Sequence, residues 1–448
     1  MSAPTGNPTG SPTGGSTAVE DVVVVHDVLE LPASRRRRIA IGSVLVVLGL
    51  FLALLLAKGA KGGVDTGFVL SPSGAAVDIP VVNLPARVLC IVLGLVVVAL
   101  GIWQIARGFS KAGLRWVGGV AAVAFVLALL AWASTGRPDQ PVSVIALLVQ
   151  TVFLATPLIL GAMAGVLCER SGVINVAIEG QMLAGAWAGA LFGTVAHNLG
   201  VGVIAAVLAG GLLGLLLAVF SIRYLVNQVV LGVVLNLLAL GLTGYIFDVL
   251  MQRDQDGLNN PGFFNPVKIP VLGDIPIVGP LLFDANVIVY LMYVIVIAID
   301  VALFRTRWGL RTRAVGEHPK AADTVGVNVL RVRYRNVVLG GFVAGLAGAA
   351  LTIGSTGQFQ KNVSSGQGFI ALAALIFGRW SPRGAVGAAL FFGFASALQN
   401  LLSALETPVQ IPSYFLAMTP YLATIIAVAG LVGRVRAPAA DGEPYVKG

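Results

Sequence analysis

Apolar runs of bilayer length recur along this chain, and no other feature constrains its fold as much. A helix needs about 20 consecutive apolar residues to cross the hydrocarbon core. Twelve candidate segments approach or exceed that length: 39–57, 88–106, 115–134, 143–168, 172–196, 201–222, 228–250, 287–304, 336–356, 367–378, 384–404 and 412–432. A helix satisfies all its backbone hydrogen bonds internally, which lipid demands. The fold class is therefore an all-α polytopic membrane protein of about 12 apolar segments. Only 11% of the 448 residues are charged and 57% are hydrophobic, where a soluble domain carries roughly a quarter charged residues. A mean hydropathy of +0.91 leaves too little polar surface for a soluble enzyme or a nucleic-acid binder.

Two segments break the pattern. The 367–378 run is too short to span, and the start of 172–196 carries Asn175 and Glu179, so both are expected to be broken or re-entrant pieces. Residues 1–34 are rich in Pro, Thr, Gly and Ser, with Val22–Val25 as the only apolar patch, and read as a disordered tail. Arg35–Arg38 and the apolar run behind them could form a secretory leader. The long polar lead-in and the lack of a small-residue cleavage site favour a retained helix.

Charge sets the orientation. With the N-terminus inside and twelve crossings, 22 of the 29 Lys and Arg residues fall on the cytoplasmic side. The other side holds Lys58, Lys61, Arg87, Arg137, Arg253, Lys268 and Lys361. Basic residues resist translocation, so both termini are expected in the cytoplasm, and the net charge of +9 reflects topology rather than nucleic-acid binding. Two loops are long: 251–286 outside, with five prolines, and 305–335 inside, with eight basic residues.

Several chemistries are missing. No Gly-Lys pair exists to build a P-loop, His26, His197 and His318 form no zinc motif, and no Gly-x-Ser-x-Gly elbow occurs. Cys90 and Cys168 both lie in apolar runs and offer neither a disulfide framework nor a metal site. Small residues at helix spacing (Gly161/Gly165, Gly185/Gly189, Gly210/Gly214, Gly341/Gly345) instead predict close helix packing in lipid.

Three stretches invite a functional reading. Asn175 and Glu179 are four residues apart and would share a face if helical; with Gln181 they are candidates for a solute path, as discontinuous helices are in transporters. The alternative is that Glu179 accepts hydrogen bonds from backbone amides freed at the break. A second stretch, 354–378, supplies Gln358 and Gln367 as further path candidates. Glu179-Gly180-Gln181 and Ser365-Gly366-Gln367 each precede a small-residue apolar run, a weak sign of internal repetition. In the inner loop, Glu317 precedes Pro319, which suits a helix start, and Gly326 suits its end. A two-turn helix between them would carry Ala321, Ala322 and Asp323, with the two alanines forming a smooth side.

These stretches resemble the permease subunits of ATP-binding-cassette importers for branched-chain amino acids, ribose and nucleosides, most of all the nucleoside type. The likeness rests on 169–180 (ERSGVINVAIEG), 313–322 (RAVGEHPKAA) running on to 326–329 (GVNV), 366–382 (GQGFIALAALIFGRWSP) and 275–283 (IPIVGPLLF). It implies a core of about nine segments (141–436), with three extra N-terminal helices in 35–140 and a cytoplasmic tail at 437–448. It also implies that Pro319–Val325 is a coupling helix seated in a separate ATPase, which would bind ATP and Mg, since this chain holds no cofactor of its own. Further implied partners are a second permease, a solute-binding lipoprotein outside, and a small polar solute, a nucleoside or a simple sugar. The setting would be a bacterial cytoplasmic membrane. An ion-coupled carrier is the rival class, but it normally needs several ionisable groups in its path, and Glu179 alone is thin support. A channel lacks a charge ring or filter.

Overall fold

The structure, a computed structural model, describes residues 32–60, 63–71, 79–135, 141–405, 407–409, 412–419, 422 and 436–447. The 1–31 part of the N-terminal tail and most of the 412–432 segment lie outside the described residues. Among those described, nine helices are long and apolar enough to cross a membrane, so the chain is a multi-pass, all-α membrane protein. In chain order the main helices are α1 (Pro32–Leu50, continuing to Gly59), α2 (Ala86–Ala106), α3 (Lys111–Ser134), α4 (Val144–Glu169) and α5 (Ile178–Val195). There follow α6 (Leu199–Ala218), α7 (Gln228–Ile246), α8 (Val287–Arg305), α9 (Arg307–Glu317) and α10 (Pro319–Thr324). The last are α11 (Val329–Leu351), α12 (Gln367–Phe377) and α13 (Pro382–Ala404).

Of the three segments that make up the difference from twelve, 412–432 lies mostly outside the described residues and the other two differ for local reasons. The 172–196 run becomes helical only at Ile178, because Gly172 takes φ +84 and the chain to Ala177 is non-helical. The 367–378 run yields the 11-residue α12. The long outer loop is also less irregular than its prolines suggest. It holds short helical turns at Gln255–Leu258 and Val278–Leu282, and a two-residue ladder pairs Val267 with Ala285.

Helix α11 forms the centre, packed on α4, α5 and α6. Its crossings are lined with glycine: a Cβ on Gly185, Gly210 or Gly345 would strike the backbone of the facing helix. That close approach substitutes for the hydrophobic drive that lipid removes. Gly345→Leu is therefore expected to destabilise the bundle by about 2–3 kcal/mol, the upper part of the overpacking range. Gly387→Ala on α13, where a Cβ meets nothing within 4 Å, should not destabilise and should gain up to about 1 kcal/mol of helix propensity. Thermal unfolding of the two purified variants in detergent checks the contrast.

The three N-terminal helices pack on the rest of the chain. Leu52, Leu130 and Trp132 share one buried cluster with Leu147 of α4 and with Ala397, Leu398 and Leu402 of α13. A small sheet ties the same region together. Strand β1 (Asp65–Val69) runs antiparallel to β2 (Val82–Pro85) and parallel to β3 (Val142–Ser143), which leads into α4.

Candidate functional site

Two interrupted segments meet inside the bundle. The first comes off α4: the Ser171 hydroxyl donates to the Cys168 carbonyl (2.7 Å), Gly172 turns the chain, and Asn175 is fully buried before α5 begins. Asn175 thus lies in the non-helical stretch before α5, so it does not share a helix face with Glu179. Its side-chain amide donates to Gln181 Oε1 (3.0 Å) and to Cys168 Sγ (3.4 Å). Asn175 Oδ1 and Gln181 Nε2 are buried without a partner among the described residues.

The second interruption precedes α12, and Glu179 joins the two. Its Oε1 accepts from the Ser364 hydroxyl (2.6 Å) and the Gly366 amide (2.8 Å), and its Oε2 accepts from the Gly368 amide (2.6 Å). A carboxylate at a helix N-terminus satisfies orphan donors and faces the positive end of the dipole. Helix α12 needs this, because its own N-cap is Gly366 at φ +83, with no side chain to offer. Gly368 is required for the approach: a Cβ there would meet Glu179 Cα and N. The two similar tripeptides of the sequence are thus brought into contact. Gln367 is half-buried at the first position of α12, while Gln358 is exposed in the preceding loop and is not among the partners of Glu179, which are Ser364, Gly366 and Gly368.

Sequence reasoning missed Asn236. From α7, its Oδ1 accepts from the Gly180 amide (2.8 Å) and its amide donates to the Val176 carbonyl (3.0 Å), pinning the start of α5 from the side. Gln228 does the same for Ile174 N (2.7 Å). A lone amide in an apolar run such as 229–247 was the available signal. Two further acids near span ends are ion-paired: Asp248 with Lys361 and Asp300 with Arg383.

The inner loop forms a helical hairpin. Pro319 starts α10, Gly326 at φ +83 ends it, and the Asn328 side chain caps α11 through Arg331 N (2.9 Å). Ala321 is exposed, but Ala322 is 4% exposed, packed with Val315, Val329 and Tyr445. The two alanines therefore do not form one smooth side, since adjacent helix residues point about 100° apart. The outward face instead carries Ala321 and Val325, four residues apart, with Val325 78% exposed. Glu317 is exposed and Asp323 half-buried.

This hairpin abuts the first break. A Cβ on Gly316 would overlap the Arg170 carbonyl, and Arg170 Nε donates to the Trp380 carbonyl (2.7 Å). Nearby, Asp441 of the C-terminal tail has its carboxyl pushed up to about 7 by burial, against the opposing pull of Glu169 and Arg333. Elsewhere, beside the outer loop, a cavity of about 470 Å³ is lined by Gln150, Phe153, Phe263, Asp284 and Asn286 among others. No group of three or more His, Cys, Asp or Glu side chains suited to a metal ion occurs among the described residues.

A lipid-spanning bundle in which two interrupted helices meet end to side has the architecture of a solute permease. Residues 147–433 match the family described as the branched-chain amino acid transport system / permease component, and the chain belongs to that family. Among its relatives is the guanosine ABC transporter permease protein NupQ of Bacillus subtilis (strain 168), 44% identical over 309 residues. That match covers 66% of this chain and 95% of the relative. The nucleoside ABC transporter permease protein NupC of Lactococcus lactis subsp. cremoris (strain MG1363) is 38% identical over 301 residues, 65% of this chain and 94% of the relative. The putative glucose ABC transporter permease protein TsgC13 of Haloferax volcanii is 36% identical over 253 residues, 56% and 76% respectively. No solved structure matches the chain.

Proposed function

We propose that this chain is the permease subunit of an ATP-driven importer of nucleosides in a bacterial cytoplasmic membrane. The observation that carries the solute is the pair of relatives named for guanosine and nucleosides, each matched over nearly its whole length. ATP and Mg are bound by a separate ATPase, which receives α10 through the exposed Ala321–Val325 face. The remaining partners are a second, related permease and a lipoprotein that delivers solute to the outer surface around 251–286. Both termini lie in the cytoplasm. In support, Arg170 bonds to the 379–380 carbonyls and lies against Gly316, and the 436–447 tail is bonded to Gly316 and Arg333, which gathers these basic segments at one end of the bundle.

The solute passes near the junction of α5 and α12, with Asn175, Gln181 and Gln367 as its polar lining and Glu179 holding the junction in shape. An ion-coupled carrier is disfavoured by the same geometry. The carboxylate at the break is engaged by three donors of the facing segment and so serves the junction itself. A simple sugar is the second reading, favoured by the relative named for glucose.

The test is uptake into proteoliposomes holding the whole transporter, with radiolabelled guanosine, adenosine, uridine, ribose and glucose compared. Accumulation of nucleosides that needs ATP and stops with vanadate is expected. Accumulation by this chain alone under an ion gradient would overturn the importer reading, and sugar-only uptake would overturn the solute.

A further inference from the structure

The C-terminal residues 436–447 run across the end of the bundle that carries the α9–α10 hairpin, and their contacts are specific. The Ala440 amide donates to the Gly316 carbonyl (2.9 Å), and the Ala439 amide donates to Glu317 Oε2 (3.2 Å), fixing the tail to the end of α9. Arg333, 2% exposed on α11, donates from Nη1 to the Glu443 carbonyl (2.7 Å). Asp441 lies beside Glu169, the last residue of α4. A Cβ on Gly172 would lie 2.9 Å from the Ala440 carbonyl oxygen, and one on Gly442 would lie 2.7 Å from Ile174 Cδ1. Tyr445 then reaches α10: its ring is buried against Val315, Ala322 and Val329.

One short segment therefore touches both α10 and the turn from which the first break departs. A segment tied by only one contact would slip when α10 moved. This one is held at 439–443 against the turn and α9, and at Tyr445 against α10. A buried arginine held through a backbone carbonyl resists separation, because pulling the tail away strands its guanidinium.

We propose that residues 436–447 are a strap that carries displacement of α10 to the 170–177 break, so that the tail is a positioning segment of the transport cycle. The inference rests on the importer reading above. It assigns the tail a role in coupling and none in seating the ATPase, since the α10 face opposite Tyr445 is the one left exposed.

The experiment compares the complete transporter in proteoliposomes with three variants: the chain ended at residue 435, Tyr445→Ala and Tyr445→Phe. ATP hydrolysis, ATPase co-purification and guanosine uptake are measured on each. The shortened chain is expected to retain its ATPase and its hydrolysis, while guanosine moved per ATP falls roughly tenfold, within the range by which residues between coupled sites act. Tyr445→Ala should lose about threefold on the same scale, and Tyr445→Phe, which keeps the ring over Ala322, should stay near wild type. Unchanged or increased guanosine per ATP in the shortened chain overturns the strap, and so does loss of the ATPase from the complex. Should the shortened chain aggregate, the Tyr445→Ala and Tyr445→Phe pair decides, since each alters one side chain. Wild-type transporter that moves guanosine without ATP hydrolysis refutes the importer reading instead.

Discussion

Glu179→Ala is expected to destabilise the protein by about 5 kcal/mol, the range for removing one partner of a buried charged network, and to abolish uptake. The Ser364 hydroxyl and the Gly366 and Gly368 amides all donate to this one carboxylate. Each becomes a buried donor with no acceptor, at about 1–3 kcal/mol apiece. Helix α12 has 11 residues, below the roughly 12–15 at which an isolated helix is even marginal in water, so its anchored N-terminus matters. Glu179→Gln should be intermediate, since its carbonyl can still serve one side of the cap while its NH2 group faces a donor. Thermal unfolding in detergent, measured beside guanosine uptake, separates two roles. A wild-type midpoint with uptake lost would mean that Glu179 acts on the solute. A wild-type midpoint with normal uptake would remove both the cap and the path assignment.

The spans were legible because apolar length is a local property. Composition alone required a lipid-embedded bundle, and the runs between 39 and 404 recur as helices with ends shifted by up to seven residues. The break near the start of 172–196 was legible as well, from Asn175 and Glu179 interrupting an apolar run. What the sequence hid was pairing over distance. Nothing near Glu179 says that its partners are Ser364, Gly366 and Gly368, about 185 residues away. The likeness of the two tripeptides hinted at kinship, and their contact became visible only in the fold. Asn236 was hidden in the same way, because one amide in an apolar helix shows that a polar partner exists without showing which. The tail was overlooked since a short polar C-terminus carries no periodicity. Its order comes from Arg333, Glu169 and Gly316, none adjacent to it in sequence.

Ala321→Trp is expected to leave the folded chain as stable as wild type and to cut ATP-driven uptake about thirtyfold, the effect of losing a contact worth about 2 kcal/mol at an interface. The residue is exposed, its neighbour on the helix face is the equally exposed Val325, and no other part of the described chain covers them. Ala322→Leu should act differently. Its side chain would enter the cluster of Val315, Val329 and Tyr445, where added methylenes cost about 1–3 kcal/mol, and a lowered unfolding midpoint should appear with or without the ATPase. The pair tests the α10 assignment through geometry, because adjacent alanines of like chemistry are predicted to fail by separate routes, one by losing a partner and one by straining the fold. Normal uptake in Ala321→Trp would remove α10 as the coupling element. An equal fall in midpoint for both would mean that the hairpin is simply packed and that the partner's seat lies elsewhere. Since α10 is only 6 residues long, it has little stability to spare, and under the proposed coupling role its hold on the bundle through Ala322 would carry a push on Ala321 inward.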